Sequence, residues 1–333
     1  MQTERRVNKM NFLLKELICI LIIVCVVFSF ASCNKTDKND SLPPSQTQES
    51  ADKTSVSFDP FSEDNIYDIS DNIINKQKGT DYGKIEKDVK YYSTTAEDYK
   101  ECNVLLPPGY DKNSRYPVMY VIHGWGGNHT NQISRDSYLQ LVYGNMLREN
   151  LTVPMIIVNV DMYTDKQEDK ESKEGYALRA AYDKVIDDIA IDLMPFIESR
   201  YPVLTGRKNT AVAGVSQGAS EALATGFKWL DRIGYIGSFA PDPGVIPTEF
   251  YKGTYWNVPT FDDFPQPDEN NMPEYLYLAV GSNDPWNVDV TLYYRDVLNS
   301  KGIKNQTDLV LGFEHNYVFW RVCFYNFLSK IFR

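Results

Sequence analysis

Histidine is scarce in this chain, with three among 333 residues. Any chemistry that needs an imidazole must draw on His123, His129 or His315. Cysteine is nearly as rare, five in all, and Cys19 and Cys25 fall in an apolar N-terminal stretch that ends just before Cys33. That leaves Cys102 and Cys323 in the body of the chain, too few and too far apart to read as a disulfide framework. Both are expected as buried free thiols. Basic residues are outnumbered, 34 against 45 acidic ones, for a net charge of −11. A body of that sign argues against nucleic acid and polyanionic substrates and suits neutral material. No internal repeat, metal-ligand spacing or cofactor fingerprint is found, so neither a metal nor a cofactor is expected.

The N-terminus reads as an address. Arg5, Arg6, Lys9 and Lys15 precede an almost unbroken apolar run from Leu17 to Phe30. A membrane span needs about 20 apolar residues, so the run suits the hydrophobic region of a signal peptide better. It ends Phe30-Ala31-Ser32-Cys33, and small residues directly before a cysteine resemble the lipobox of bacterial lipoproteins. That resemblance implies residues 1–32 as a leader, Cys33 as the lipidated residue and an extracytoplasmic, membrane-anchored protein. A single uncleaved span is the alternative. Removing residues 1–32 takes away four basic and two acidic side chains and leaves the remainder at −13. Residues 34–57 are Lys, Asp, Ser, Thr, Gln and Pro with hardly an apolar side chain, so they read as a tether. Residues 33–78 are accordingly assigned to a lipidated Cys and a flexible polar linker, and 79–333 to one catalytic domain. Ile66, Ile69, Ile73 and Ile74 within the linker have amphipathic spacing without an evident place.

From there apolar runs alternate with helical patterns. Strands are expected at Lys100–Leu106, Tyr116–Ile122, Pro154–Val160, Asn209–Val215, Gly234–Phe239, Tyr275–Val280 and Asp308–Leu311. Helices are expected at Tyr182–Arg200, through Ala219 to Phe227, at Thr291–Ser300 and at Tyr317–Phe332. Such alternation implies a mostly parallel central sheet with helices on both faces. Two long polar stretches, Met162–Glu174 and Pro241–Met272, interrupt the rhythm and are expected as loops that shape a binding site or simply move.

Gly214-Val215-Ser216-Gln217-Gly218 is a G-x-S-x-G. Alone the pattern is common, but here it follows a strand and opens a helix, as a nucleophile elbow requires. A serine nucleophile needs a base, and in the α/β-hydrolase fold the chain order is Ser, acid, His. Only His315 follows Ser216, in a loop between a short strand and the last helix. The acid must lie between them. Asp284 in Gly281-Ser282-Asn283-Asp284 ends a strand where ligands meet open α/β sheets. Asp242 and Asp289 are its rivals, Asp289 reading as a helix-start residue. An oxyanion hole needs two aimed backbone N–H groups. Gln217, next after the nucleophile, is one. The loop His123-Gly124-Trp125-Gly126-Gly127-Asn128 offers the other through Trp125, with His123 organising the loop.

At these residues the chain resembles the feruloyl and acetylxylan esterases of carbohydrate esterase family 1, close to the esterase D group. The matching pieces are Leu105-Leu106-Pro107-Pro108-Gly109-Tyr110, Tyr116-Pro117-Val118 leading into His123-Gly124, and Asp192 to Glu198. The Ser216 elbow, Gly281 to Asp284, and Glu314-His315-Asn316 with Trp320 complete the set. The resemblance implies a serine esterase acting on feruloyl or acetyl esters of plant cell-wall xylan. The family usually has Met-Gly-Gly after the nucleophile, whereas this chain has Gln217-Gly218-Ala219, which changes a pocket wall. Trp125, Trp286, Tyr251, Tyr255 and Trp256 are candidate stacking partners for an aromatic acid or a sugar, or else packing residues. A siderophore esterase, another serine hydrolase, and a non-catalytic surface-binding lipoprotein are the remaining readings.

Overall fold

The computed structural model describes residues 58–62, 64–134, 137–245 and 272–333. The leader, Cys33, the polar tether, Tyr251, Tyr255 and Trp256 lie outside the described residues. Eight strands form one sheet in the order β1-β2-β4-β3-β5-β6-β7-β8. They are β1 (Lys84–Ser93), β2 (Asp98–Leu106), β3 (Val118–Ile122), β4 (Ile156–Val160), β5 (Thr210–Val215), β6 (Tyr235–Phe239), β7 (Tyr275–Gly281) and β8 (Gln306–Val310). β2 runs antiparallel to both β1 and β4, and every other pairing is parallel.

The central strands are continuous apolar runs because both faces are covered. Alternate residues of β3 show it: Val118, Tyr120 and Ile122 enter one buried cluster, Met119 and Val121 the other. The first cluster is roofed by α3 (Gly175–Asp183), α4 (Val185–Asp188), α5 (Met194–Arg200), α6 (Gln217–Lys228) and α7 (Val288–Ser300). The second lies under α1 (Asp71–Ile74), α2 (Tyr138–Arg148) and α8 (Tyr317–Leu328). This is the α/β-hydrolase architecture, with a mostly parallel sheet between two helical layers. Among the described residues no helix is long and apolar enough to cross a membrane. Cys102 and Cys323 are free and buried, on different clusters.

Three places depart from the sequence reading. The packed chain reaches further toward the N-terminus than Gly79. Phe61, Ile69 and Ile73 pack on the second cluster, and Ile66 exchanges two hydrogen bonds with the Asn326 side chain. The helix expected over Tyr182–Arg200 is interrupted at Lys184 and again by a π-helical turn at Ile189–Leu193. A π-turn inserts an extra residue and rotates the apolar face. Ile191 is accordingly exposed, while Ile189, Leu193 and Ile197 are buried. Finally, β1 has no counterpart among the expected strands. Its buried positions, Val89, Tyr91 and Ser93, follow a register shift between Glu86 and Val89, with Asp88 at φ 51°. The bulge breaks the two-residue period that marks a strand.

Candidate active site

Ser216 stands between β5 and α6 at φ 56° and ψ −128°, a conformation that a non-glycine residue adopts at a cost of about 1–3 kcal/mol. The turn is tight enough to require its glycines. A Cβ on Gly214 would come within 1.9 Å of the Gly218 carbonyl oxygen, and one on Gly218 within 2.2 Å of the His123 carbonyl oxygen. The Ser216 N–H donates to the Phe239 carbonyl at 2.9 Å, tying the elbow to β6. Behind it α6 presents its N-terminus, where backbone N–H groups and the helix dipole favour negative charge.

His315 and Asp284 meet Ser216 from two other loops. His315 Nε2 lies 2.9 Å from Ser216 Oγ, and His315 Nδ1 lies 2.6 Å from Asp284 Oδ2. The His315 loop is set by α8, whose first turn is capped by Asn316 Oδ1 accepting from the Val318 and Phe319 N–H groups. The edges or faces of Trp286 and Trp320 flank the imidazole at 5.5 Å and 5.0 Å between ring centroids. Asp284 is buried, and its second oxygen accepts from the N–H groups of Trp286 (2.9 Å) and Asn287 (3.1 Å). Burial alone raises a carboxyl pKa, but His315 and these two N–H groups outweigh it and keep Asp284 below the ordinary range. With Oδ2 accepting the hydrogen bond from Nδ1–H, Nε2 is left as the acceptor that a base toward Ser216 needs.

The rival carboxylates stand elsewhere. Asp289 is in the first turn of α7 and makes no triad contact. Asp242 accepts from Asn287 Nδ2 at 3.2 Å and lies 3.9 Å from Arg179 Nη1. Burial pushes its carboxyl above the usual value against the pull of Arg179 and Asn287. It is a neighbour of the triad through Asn287, not a member of it.

The glycine loop passes directly beside the nucleophile. A Cβ on Gly124 would sit 3.2 Å from Ser216 Cβ and 3.8 Å from Ser216 Oγ. His123 is fully buried, with Nδ1 2.7 Å from the Gly124 carbonyl and Nε2 accepting from the Met162 N–H at 2.9 Å. The network thus assigns the proton to Nδ1, and His123 staples the loop to the end of β4. Trp125 follows, half exposed, its ring edge-on to Tyr182 at 5.3 Å. Trp286 is more exposed still. The site therefore has one exposed indole in the loop beside Ser216 and another, Trp286, against His315.

A buried polar cluster that the sequence does not reveal lies under α6. Gln217, wholly buried, accepts at Oε1 from Arg179 and donates from Nε2 to Glu221 at 2.6 Å. Arg179 also pairs with Asp183 at 3.1 Å and lies 3.9 Å from Glu221. Burial, reinforced by the Asp183 carboxylate, raises Glu221 well above the ordinary glutamate range despite Arg179. The only signals were two polar pairs at i, i+4, Arg179 with Asp183 and Gln217 with Glu221, on helices otherwise rich in apolar residues.

A strand-elbow-helix serine joined to a histidine and an aspartate at the carboxyl end of such a sheet defines an esterase-type serine hydrolase of the α/β-hydrolase fold. The family described as putative esterase matches residues 93–307, and the chain belongs to it. Among curated proteins it is similar to an endo-1,4-beta-xylanase/feruloyl esterase of Xylanibacter ruminicola, 26% identical over 263 residues, covering 77% of this chain and 32% of that protein. It is also similar to endo-1,4-beta-xylanase Y of Acetivibrio thermocellus, 24% identical over 198 residues, covering 56% of this chain and 16% of that protein. The chain thus spans about a third and about a sixth of those two relatives. A solved CE1 ferulic acid esterase from the anaerobic fungus Anaeromyces mucronatus, in complex with ferulic acid, is 32% identical with a TM-score of 0.73. That match covers 81% of this chain and 98% of the fungal one, so the family is of the feruloyl esterase type.

Proposed function

We propose that this protein is an exported, lipid-anchored esterase that removes feruloyl or acetyl groups from plant cell-wall xylan through an acyl-enzyme on Ser216. The observation that carries the reading is the unbroken hydrogen-bonded line Asp284–His315–Ser216, at 2.6 Å and 2.9 Å. Ser216 Oγ attacks the ester carbonyl while His315 Nε2 takes its proton, and Asp284 stabilises the imidazolium. The N–H groups of Gln217 and Trp125 receive the developing oxyanion. His315 then returns the proton to the departing sugar hydroxyl. Water, activated by the same imidazole, releases the acid and restores the serine.

The feruloyl choice is supported by the fungal ferulic acid esterase and by the two exposed indoles, Trp125 and Trp286, beside the reacting residues. A planar cinnamoyl ring stacks on such faces; an acetyl group has no need of them. Trp256 and Tyr255 belong to the same proposal as further stacking residues. The xylan choice is supported by the two xylanase relatives, and the anchor by the Ala31-Ser32-Cys33 site after the apolar run.

The test is a substrate panel on the purified protein: methyl ferulate, acetylated xylan and a catecholate trilactone. Release of ferulate, abolished in Ser216→Ala, supports the reading. Turnover of the trilactone with none of the other two replaces it with a siderophore esterase. A fluorophosphonate that fails to label Ser216 removes the serine-hydrolase assignment. For the anchor, incorporated fatty acid that disappears in Cys33→Ala is expected, and its absence from the wild type points to an uncleaved span.

A further inference from the structure

The hairpin of β1 and β2 lies at the edge of the sheet, yet its tip is level with the nucleophile. One line of paired residues crosses the sheet: Cys102 pairs with Val160, Val160 with Ile122, and Ile122 with Gly214. Ser216 lies two residues beyond Gly214 toward the carboxyl end of β5. Because β2 is antiparallel, Tyr99, three residues before Cys102, projects beyond the same end. Three strand spacings separate β2 from β5 and four separate β1 from β5, about 14 Å and about 19 Å. A few linked sugar rings span that distance.

Tyr92 and Tyr99 are directly paired across the hairpin and meet edge to face at 5.4 Å. They are 53% and 62% exposed, so neither contributes much to the core. Beside them is a pocket of about 340 Å³ lined by Lys90, Asp98, Tyr99, Glu101, Asp161 and Gln167. The hairpin is rigidly backed: buried Lys100 donates to Asp188 at 2.6 Å, and Tyr91 donates to the same carboxylate at 2.7 Å. Contacts lead from the pocket to the nucleophile. Lys170 lies 3.6 Å from Asp161 and 5.1 Å above the Tyr163 ring. Tyr163 meets Tyr182, and Tyr182 meets Trp125 in the loop beside Ser216.

The chemistry of this patch selects its ligand. Three carboxylates, an amide, a phenol and one ammonium offer many hydrogen-bond partners to hydroxyl groups and little to an aliphatic chain. The surplus of negative charge repels anions. Two exposed phenol rings add faces against which the C–H side of a pyranose packs. We infer that Tyr92, Tyr99 and the adjoining pocket form a distal subsite for the neutral glycan chain that carries the ester. It rests on the esterified-xylan reading above and deepens it: the protein grips the polymer at the sheet edge while the acyl group enters beside Ser216.

Two measurements test it, using wild type, Tyr92→Ala, Tyr99→Ala and the double variant. The first is calorimetric titration with an unesterified linear xylo-oligosaccharide, which needs no esterase activity. Loss of one aromatic contact is expected to weaken binding about threefold to tenfold, and the double variant more. The second compares KM for feruloylated xylan with turnover of methyl ferulate. KM for the polymer is expected to rise by a similar factor, with methyl ferulate unchanged. Oligosaccharide binding that is absent in the wild type, or undiminished in a double variant of unaltered melting temperature, overturns the subsite. Failure of the wild type to cleave methyl ferulate, with oligosaccharide binding still lost in the double variant, overturns the esterase reading and leaves the glycan site standing.

Discussion

Arg179 donates to the side-chain oxygen of Gln217, the residue whose backbone N–H stands next to the Ser216 elbow. The contact crosses from α3 to the first residue of α6 and is backed by Asp183, Glu221 and Asp242. The helix that follows Ser216 is therefore pinned at its N-terminus by a partly buried cation. Asn287 extends the connection, donating from its side chain to Asp242 while its backbone N–H donates to Asp284, the proposed triad acid. Arg179→Met is expected to leave buried carboxylates without their cation, at a cost of about 3–5 kcal/mol in stability. At a temperature where the variant is folded, kcat for methyl ferulate should fall while KM stays close to wild type, because the proposed oxyanion donor, the Gln217 N–H, would matter most in the transition state. A rise in KM alone would assign Arg179 to substrate binding instead.

Ser216→Ala should reduce kcat by about 10⁶ without altering the melting temperature downward. The substitution removes only a hydroxyl from a position where backbone strain, not the side chain, carries the cost. Ester hydrolysis and fluorophosphonate labelling read the first part, a thermal melt the second. Retained turnover would place the nucleophile elsewhere.

Asp284→Asn and Asp242→Asn separate the triad acid from its neighbour. The first keeps a side chain of the same shape but no longer enforces the tautomer of His315, so kcat should fall by about 10⁴. The second removes a charge that lies one residue away from the triad, through Asn287, and a fall below tenfold is expected. Comparable losses in the two variants would make Asp242 part of the proton relay. Steady-state rates on one soluble ester suffice.

What could be read in the sequence was what is local. The Ser216 elbow is a strand, a glycine-flanked turn and a helix in succession, and chain order leaves one histidine after it. The elbow is legible because it depends on neighbours in sequence, and the histidine because His315 alone of the three lies beyond it. Strand β1 was invisible because its bulge at Asp88 destroys the alternation just where a period of two is sought. The π-turn at Ile189–Leu193 is likewise silent, since its residues suit an ordinary helix and only packing rotates Ile191 outward. Residues 58–78 looked like linker because their few apolar side chains have no partner until α8 and the sheet are assembled. The Arg179 cluster is the most distant case: four polar side chains on two helices acquire meaning only once α3 and α6 touch.

The pH dependence of stability is expected to turn on Glu221. Its carboxyl is buried beside Asp183, accepts from Gln217 at 2.6 Å, and has its pKa raised by burial first and by the Asp183 charge second. A carboxyl whose folded pKa exceeds its unfolded value binds protons more tightly in the native state. Its contribution is therefore complete below the unfolded pKa of about 4.3 and is lost as pH rises through the higher folded value. Asp284 acts with the opposite sign: its lowered pKa stabilises the fold above about pH 3.9 and ceases to do so as pH falls through the lower folded value. Stability should thus decline on the alkaline side through Glu221 and on the acid side through Asp284. Glu221→Gln is the informative variant, because the amide stays neutral and its oxygen still accepts from Gln217. Thermal melts from about pH 5 to about pH 9 should show the variant gaining on the wild type as pH rises. Arg179, Asp183 and Asp242 face the same cluster, so the comparison holds them constant in both proteins. Parallel melting curves over that range would mean that Glu221 is already ionised at about pH 5, paired with Arg179 instead of protonated against Asp183.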